Sequence, residues 1–199
     1  EQLFTAWGVN YDPKKVLLDL EFAHSIPVTQ YGRAVPHVGV LGLHDAAINR
    51  TQNVIAELDN INLASAGALS PKPGASTRFI PLLTSSTQSQ LMDAETYVMI
   101  GNHETLLGQF KSGNQQYAFA ALVSGNVKTA FPNGRPNAPA GEGVPSLSAD
   151  TSQLMQSSQP AQVMIVADTD VLSDRMWVQV QDFYGQKQID PFAANADMV

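Results

Sequence analysis

The chain has 199 residues, a net charge of -7, a pI near 4.9, 44% hydrophobic and 15% charged residues, and no cysteine. That length suits one domain or lobe with a proper core. The eleven basic residues are scattered, which argues against gripping nucleic acid or an anionic membrane, and the lack of cysteine excludes disulfides, thiolate metal sites and thiol catalysis.

In chain order, Leu3, Phe4 and Trp7 share a helical face, and Gly8 supplies a stop. KVLLDL (15–20) reads as a strand. VGVLGL (38–43) is a second apolar run, in which Gly39 and Gly42 weaken the strand or admit another backbone. Residues 51–60 suggest a helical turn, 61–69 a tightly packed strand and 71–76 a turn. TRFIPLL (77–83) is a strand placed at an edge or strand end by Pro81. A polar loop (84–90) leads to LMD, a short strand.

The next helix spans 102–110, with Asn102 as N-cap, Glu104 at its positive end and Leu106, Leu107 and Phe110 on its apolar face. QYAFAALVSG (116–125) alternates as a strand should. Gly, Pro, Ser, Asn and Ala then dominate, predicting a flexible excursion at 125–160. Val163 to Val166 predict a central strand covered on both faces. RMWVQVQDFYGQ fits strand or helix spacing, and Asn195 is an N-cap candidate with Asp197 in the first turn. Both ends read as cut, so the expectation is an excised piece of a longer protein. The N-terminal stretch lacks a signal peptide's pattern, and no apolar run approaches the roughly 18 residues of a membrane helix. Strands mixed with short helices favour a single α/β domain or lobe over residues 1–199.

Asp168 and Asp170 follow an apolar strand, where open α/β sheets collect ligands, and two carboxylates suit Mg²⁺. DTDVL shares its opening with the haloacid-dehalogenase nucleophile motif. Only 29 residues follow Asp170, too few for the acids and lysine that chemistry needs. A D-x-D of metal-dependent glycosyltransferases is the other match, three residues long. The plainer expectation is that Asp170 or Ser173 caps a turn and that Arg175 neutralises one acid.

His24, His37, His44 and His103 lack the spacing of a helical zinc site. His44 beside Asp45 is a potential general-base couple, although sequence neighbours on a strand point apart. Trp177 with Phe183 and Tyr184 offers an aromatic platform for a sugar or peptide, or simply core packing. N-R-T at 49–51 matches a glycosylation sequon. No nucleophile elbow and no phosphate-binding glycine loop is present.

Four blocks carry a wider likeness: LFTAWGV, INLASAGAL, LVSGNVKTAFPNG and VMIVADTDVLSDRMWVQVQDFYGQ with PFAANADMV. Across nearly the whole chain they resemble the auxiliary proteins of uncharacterised ABC-type transport systems, the gliding-motility-type ABC transporter auxiliary family. The resemblance implies a membrane-anchored bacterial protein with an extracytoplasmic α/β region, of which this chain would be the distal part. It implies a partial flavodoxin-like or glutamine-amidotransferase-like three-layer sheet, with permease and ATPase as separate subunits. It carries no catalytic residues, no cofactor and no metal. The expectation is therefore a non-enzymatic extracytoplasmic auxiliary domain that binds a partner or ligand. The alternative is a divalent-metal-dependent hydrolase or transferase using Asp168 and Asp170.

Overall fold

The computed structural model describes residues 2–28, 32–134, 154–183 and 185–198. In chain order these form α1 (Gln2–Ala6), β1 (Val9–Tyr11), β2 (Lys15–Asp19), β3 (Ala23–Pro27), β4 (Ala34–His44), β5 (Asn60–Ala64), β6 (Leu69–Pro71), β7 (Arg78–Thr84) and β8 (Ser89–Asp93). Then come α2 (Ala94–Ile100), α3 (His103–Gln109), β9 (Ala118–Gly125), β10 (Ala161–Val166), β11 (Val178–Phe183) and β12 (Gln186–Pro191). Short 3₁₀ turns cover Asp45–Ala47, Asp174–Met176 and Asn195–Met198.

The class is α/β, with most of the ordered backbone in sheet. A five-stranded sheet runs β1-β6-β9-β10 with β7 also on β9, beside a β3-β4-β5 sheet and the pairs β2-β8 and β11-β12. Every strand pair among the described residues is antiparallel. The three-layer flavodoxin-like arrangement does not appear among them. Parallel strands need crossovers of a dozen or more residues, usually helical, and the helices here have five to seven residues.

The central strand is β9. Its small residues Ala118, Ala120 and Ala121 are buried together with Phe119 and Val123. Val163 and Ile165 of β10 pair with Val123 and Ala121, and Phe79 of β7 also registers on Val123. This corrects the expectation for residues 163–166. Among the described residues β10 pairs with β9 alone, and only Ile165 in it is buried. Its apolar run reflects cover on both faces, as expected, with Met164 and Val166 against the large cluster and Val163 and Ile165 against the one around Val9 and Val123, but the strand is not central. Pro81 falls where no ladder N–H is needed, on the outer strand β7, and its carbonyl accepts from Asn49 Nδ2 at 2.8 Å.

β2 splits the core through its period of two. Val16 and Leu18 pack with Val38, Met92 and Leu106 beneath α3, whereas Leu17 joins the large cluster around Leu41, Leu43, Leu82 and Phe119. Asn102 caps α3 as expected, its Oδ1 accepting the Thr105 N–H at 2.8 Å. The β4 glycines admit side chains rather than backbone: a Cβ on Gly39 would stand 2.6 Å from the Tyr97 hydroxyl, and one on Gly42 2.7 Å from His24 Nε2. Residues 51–57 form turns and no helix, and Asn60 already opens β5. Of the excursion, residues 135–153 lie outside the described set. Its flanks close on each other, with Thr129 N–H on Met155 O at 2.9 Å and Ser157 N–H on Val127 O at 2.8 Å.

Candidate functional site

The segment after β10 is pinned by its own polar groups. The Ala167 N–H donates to Phe119 O at 2.8 Å, and its carbonyl accepts from Gly67 N–H at 2.7 Å. Asp168 Oδ2 accepts the Ala64 N–H at 2.8 Å, and Oδ1 accepts the Asp170 N–H at 2.7 Å. The carboxylate thus caps the turn and ties it to β5. Capping falls to Asp168, two residues before the expected Asp170, and Ser173 makes no side-chain cap bond. Asp170 meets Arg175 at 2.7 Å, the neutralising pair expected from the sequence.

Burial holds the Asp168 carboxyl above its ordinary 3.8, the nearby Asp170 charge adds to the rise, and the backbone donors offset part of it. Asp168 and Asp170 face a cleft of about 280 Å³ with Ser65, Phe4, Tyr11 and Leu69. Among the described residues no group of three or more His, Cys, Asp or Glu side chains is placed to hold a metal ion.

Trp177 is half-buried, and its indole N–H is enclosed without a hydrogen-bond partner. Its carbonyl accepts from Phe192 N–H at 2.9 Å, so its backbone joins the hairpin β11-β12 to the C-terminal segment. Tyr184 and the Phe183 side chain, its suggested companions, lie outside the described residues.

The other candidates are dispersed. His24 Nε2 sits 2.8 Å from Asn62 Oδ1. His37 on β4 stacks on His103 of α3 with centroids 5.7 Å apart. His44 and Asp45 do meet, at 3.0 Å, because Asp45 leaves the strand at φ 46. Both are exposed to solvent. The sequon asparagine Asn49 donates its Nδ2 to Pro81 O, and its Oδ1 accepts from the Thr51 hydroxyl.

Sequence reasoning missed Asp19 and misread the role of Asn195, both buried polar residues. Asp19 is wholly buried, and its carboxylate accepts from the backbone N–H groups of Glu21, Phe22 and Ser86 and from the Ser86 hydroxyl. Asn195 reaches the backbone of Asn62 from the other end of the chain: Oδ1 accepts the Asn62 N–H at 2.9 Å, and Nδ2 donates to Asn62 O at 2.7 Å and to Val171 O at 2.8 Å. It begins its 3₁₀ turn, but its side chain serves β5 in place of a helix cap. A lone Asp at a strand end leaves no pattern to read, and the Asn195 pattern marks the turn but not its partner Asn62.

A second cleft, of about 740 Å³, opens between β1, β6, β7 and residues 115–118. It shares Phe4, Tyr11 and Leu69 with the smaller one. Its rim carries Asp12, Gln115 and Tyr117, a mixed apolar and polar lining of the kind ligand sites use. No described helix is long and apolar enough to cross a membrane.

A family model described as ABC-type uncharacterized transport system matches residues 1–199. No curated protein and no solved structure gives a match.

Proposed function

Because the chain belongs to the ABC-type uncharacterized transport system family, we propose that it is a non-enzymatic, extracytoplasmic auxiliary domain that binds a partner subunit or an envelope ligand. The observation that carries this reading is the use made of the strand-end acids. Both Asp168 oxygens are taken by backbone donors and Asp170 is held by Arg175. Their geometry braces a turn, and neither acid lines the 740 Å³ cleft. In this reading the full-length protein is anchored in the inner membrane of a gliding-motility-like system and works beside separate permease and ATPase subunits. The flavodoxin-like layer implied by the resemblance would then belong to the larger extracytoplasmic region.

The test is co-purification of the full-length protein from its native membranes in mild detergent after cross-linking. The ATPase and permease are expected in the complex, and their absence would overturn the assignment. Protease added to intact spheroplasts is expected to digest the domain, and full protection would place it on the cytoplasmic side.

A metal-dependent reaction remains the second reading, because Asp168 and Asp170 do face a cleft at a strand end. Its test is thermal denaturation with Mg²⁺ or Mn²⁺. A stabilisation that disappears in the double variant Asp168→Asn, Asp170→Asn would favour it over a purely structural role.

A further inference from the structure

We infer that the outer edge of β10 is a dimer interface, at which a second copy of this chain adds its own β10 antiparallel about a two-fold axis. The pairing goes beyond the transport reading and does not depend on it.

The backbone supplies the first argument. The Ala167 N–H donates to Phe119 O at 2.8 Å, one step past the register of Val166 on Ala120. Bonded and non-bonded pairs alternate in an antiparallel ladder. Ile165–Ala121, Val163–Val123 and Ala161–Gly125 are therefore the pairs that exchange hydrogen bonds. The N–H and C=O groups of Gln162, Met164 and Val166 point the other way. Nothing among the described residues bonds to them, and no described element other than β9 runs alongside β10. The edge is open to approach: Gln162 is exposed, Met164 and Val166 are half-buried, and Val166 borders the 280 Å³ cleft.

The absence of protection supplies the second. Open edges are ordinarily blunted by proline, charge or a bulge. β7, on the other side of β9, carries Pro81 and register shifts, and the β11-β12 hairpin carries Asp182, Lys187 and Asp190. β10 has six residues in unbroken register, with neither proline nor charge among them.

Charge and pattern select the occupant. At a net charge of -7, two copies repel wherever their acids meet. β10 lies in a strip, residues 154–167, that holds no charged side chain, so two copies can join there without like charges facing each other. An edge built to select a charged partner would carry the opposite charge. The strand is also self-complementary. One register uses every outward residue, with Met164 opposite Met164 of the second copy and Gln162 opposite its Val166. That register sets Val163 beside the second copy's Ile165 on one face. The apolar clusters behind each β10 then meet across the axis, since Met164 packs on the large cluster and Val163 and Ile165 on the one around Val9 and Val123. An isologous contact of this kind closes at two copies and uses up the open edge.

The test is light scattering on the full-length protein in mild detergent, with cysteine variants to read the register. A dimer is expected. These 199 residues hold no cysteine, and Met164→Cys is expected to give a disulfide-linked dimer on oxidation that wild type does not, from Cα atoms about 5.5 Å apart. Gln162→Cys would stand roughly 13 Å from its counterpart and is expected to stay unlinked. Gln162→Pro removes an outward N–H at an exposed position and leaves the β9 ladder intact. It is expected to raise the dimer dissociation constant about tenfold or more, with the circular dichroism spectrum unchanged. If that variant misfolds, the cysteine variants decide alone. A monomer at every attainable concentration, linkage through Gln162→Cys as readily as through Met164→Cys, or a folded Gln162→Pro variant that dimerises like wild type would each overturn the inference. So would slow hydrogen exchange at the Met164 and Val166 amides of the Gln162→Pro monomer, which would mean that another segment already fills the edge. Failure of the permease and ATPase to co-purify would sink the transport reading and leave the dimer standing.

Discussion

Asn195 does for Asn62 what a neighbouring strand would do, supplying one acceptor and one donor to a single backbone residue. Both residues are buried, and Asn62 passes the connection on through Nδ2 to Met176 O at 2.7 Å. Replacing Asn195 with Ala strands the Asn62 N–H and the carbonyls of Asn62 and Val171 away from water. Each stranded group costs roughly 1–3 kcal/mol. The expected loss for Asn195→Ala is about 3 kcal/mol by urea denaturation, and a loss within about 0.5 kcal/mol would refute the brace. Asp168 carries a pH signature as well. Its folded carboxyl titrates above the unfolded 3.8, so the folded state holds the proton more tightly. Its contribution is fully present below pH 3.8 and is lost as pH rises through the folded value. The stability difference between wild type and Asp168→Asn is therefore expected to shrink with rising pH above 3.8, and a flat difference would contradict the assigned burial. The sequence marked Asp168 as special through its place after an apolar run. It could not show that the partners of the carboxylate are backbone amides, because Ala64 lies 104 residues away.

Elements were legible where one face of the chain is buried and illegible elsewhere. α3 announces itself through Asn102 and buried Leu106, whereas α2 has no buried residue and exposes Val98 and Met99 at 76% and 85%, so it leaves no amphipathic period to read. β1 and β6 are three residues each, too short for any alternation to register. β10 carries an apolar run and yet has one ladder partner, because periodicity reports burial and not strand order. The docking of α3 on β4 is where an element's behaviour follows from its titrating groups. His37 stacks on His103, whose Nε2 is enclosed without a partner. Burial, aided by the facing His103, holds His37 below its ordinary 6.5. A group held neutral this way stabilises the fold above pH 6.5, and the contribution is lost as pH falls through the folded value. Amides of α3 are expected to exchange faster on acidification below pH 6.5, after correction for intrinsic rates. His37→Leu is expected to abolish that acceleration. Unchanged acid sensitivity in the variant would assign it to other groups.

At the scale of the whole fold, residues 194–198 tie distant parts of the chain together. Met198 is buried in the large cluster with Ile61, Leu63 and Val171, and Ala194 N–H donates to Asn60 O at 2.8 Å. The C-terminal 3₁₀ turn therefore fastens β5 to the post-β10 loop, joining parts of the chain up to 133 residues apart. Such a closure cannot be anticipated from local pattern, since PFAANADMV is too short for a helical or strand period to register. Its energetic weight can be bounded. Burying a methionine side chain contributes about 1.5–3 kcal/mol, and the Asn195 hydrogen bonds add a comparable amount. Ending the chain at Pro191 removes both and uncovers Asn62. The expected result is a loss of about 4 kcal/mol or more, a large share of the 5–15 kcal/mol of an ordinary domain. Urea denaturation followed by tryptophan fluorescence measures it, with Trp177 reporting from the joint itself. If the truncated chain unfolds at the wild-type midpoint, the C-terminal block is an appendage. If it unfolds early while Met198→Ala alone unfolds only slightly early, the polar tie through Asn195 is the stronger half of the lock.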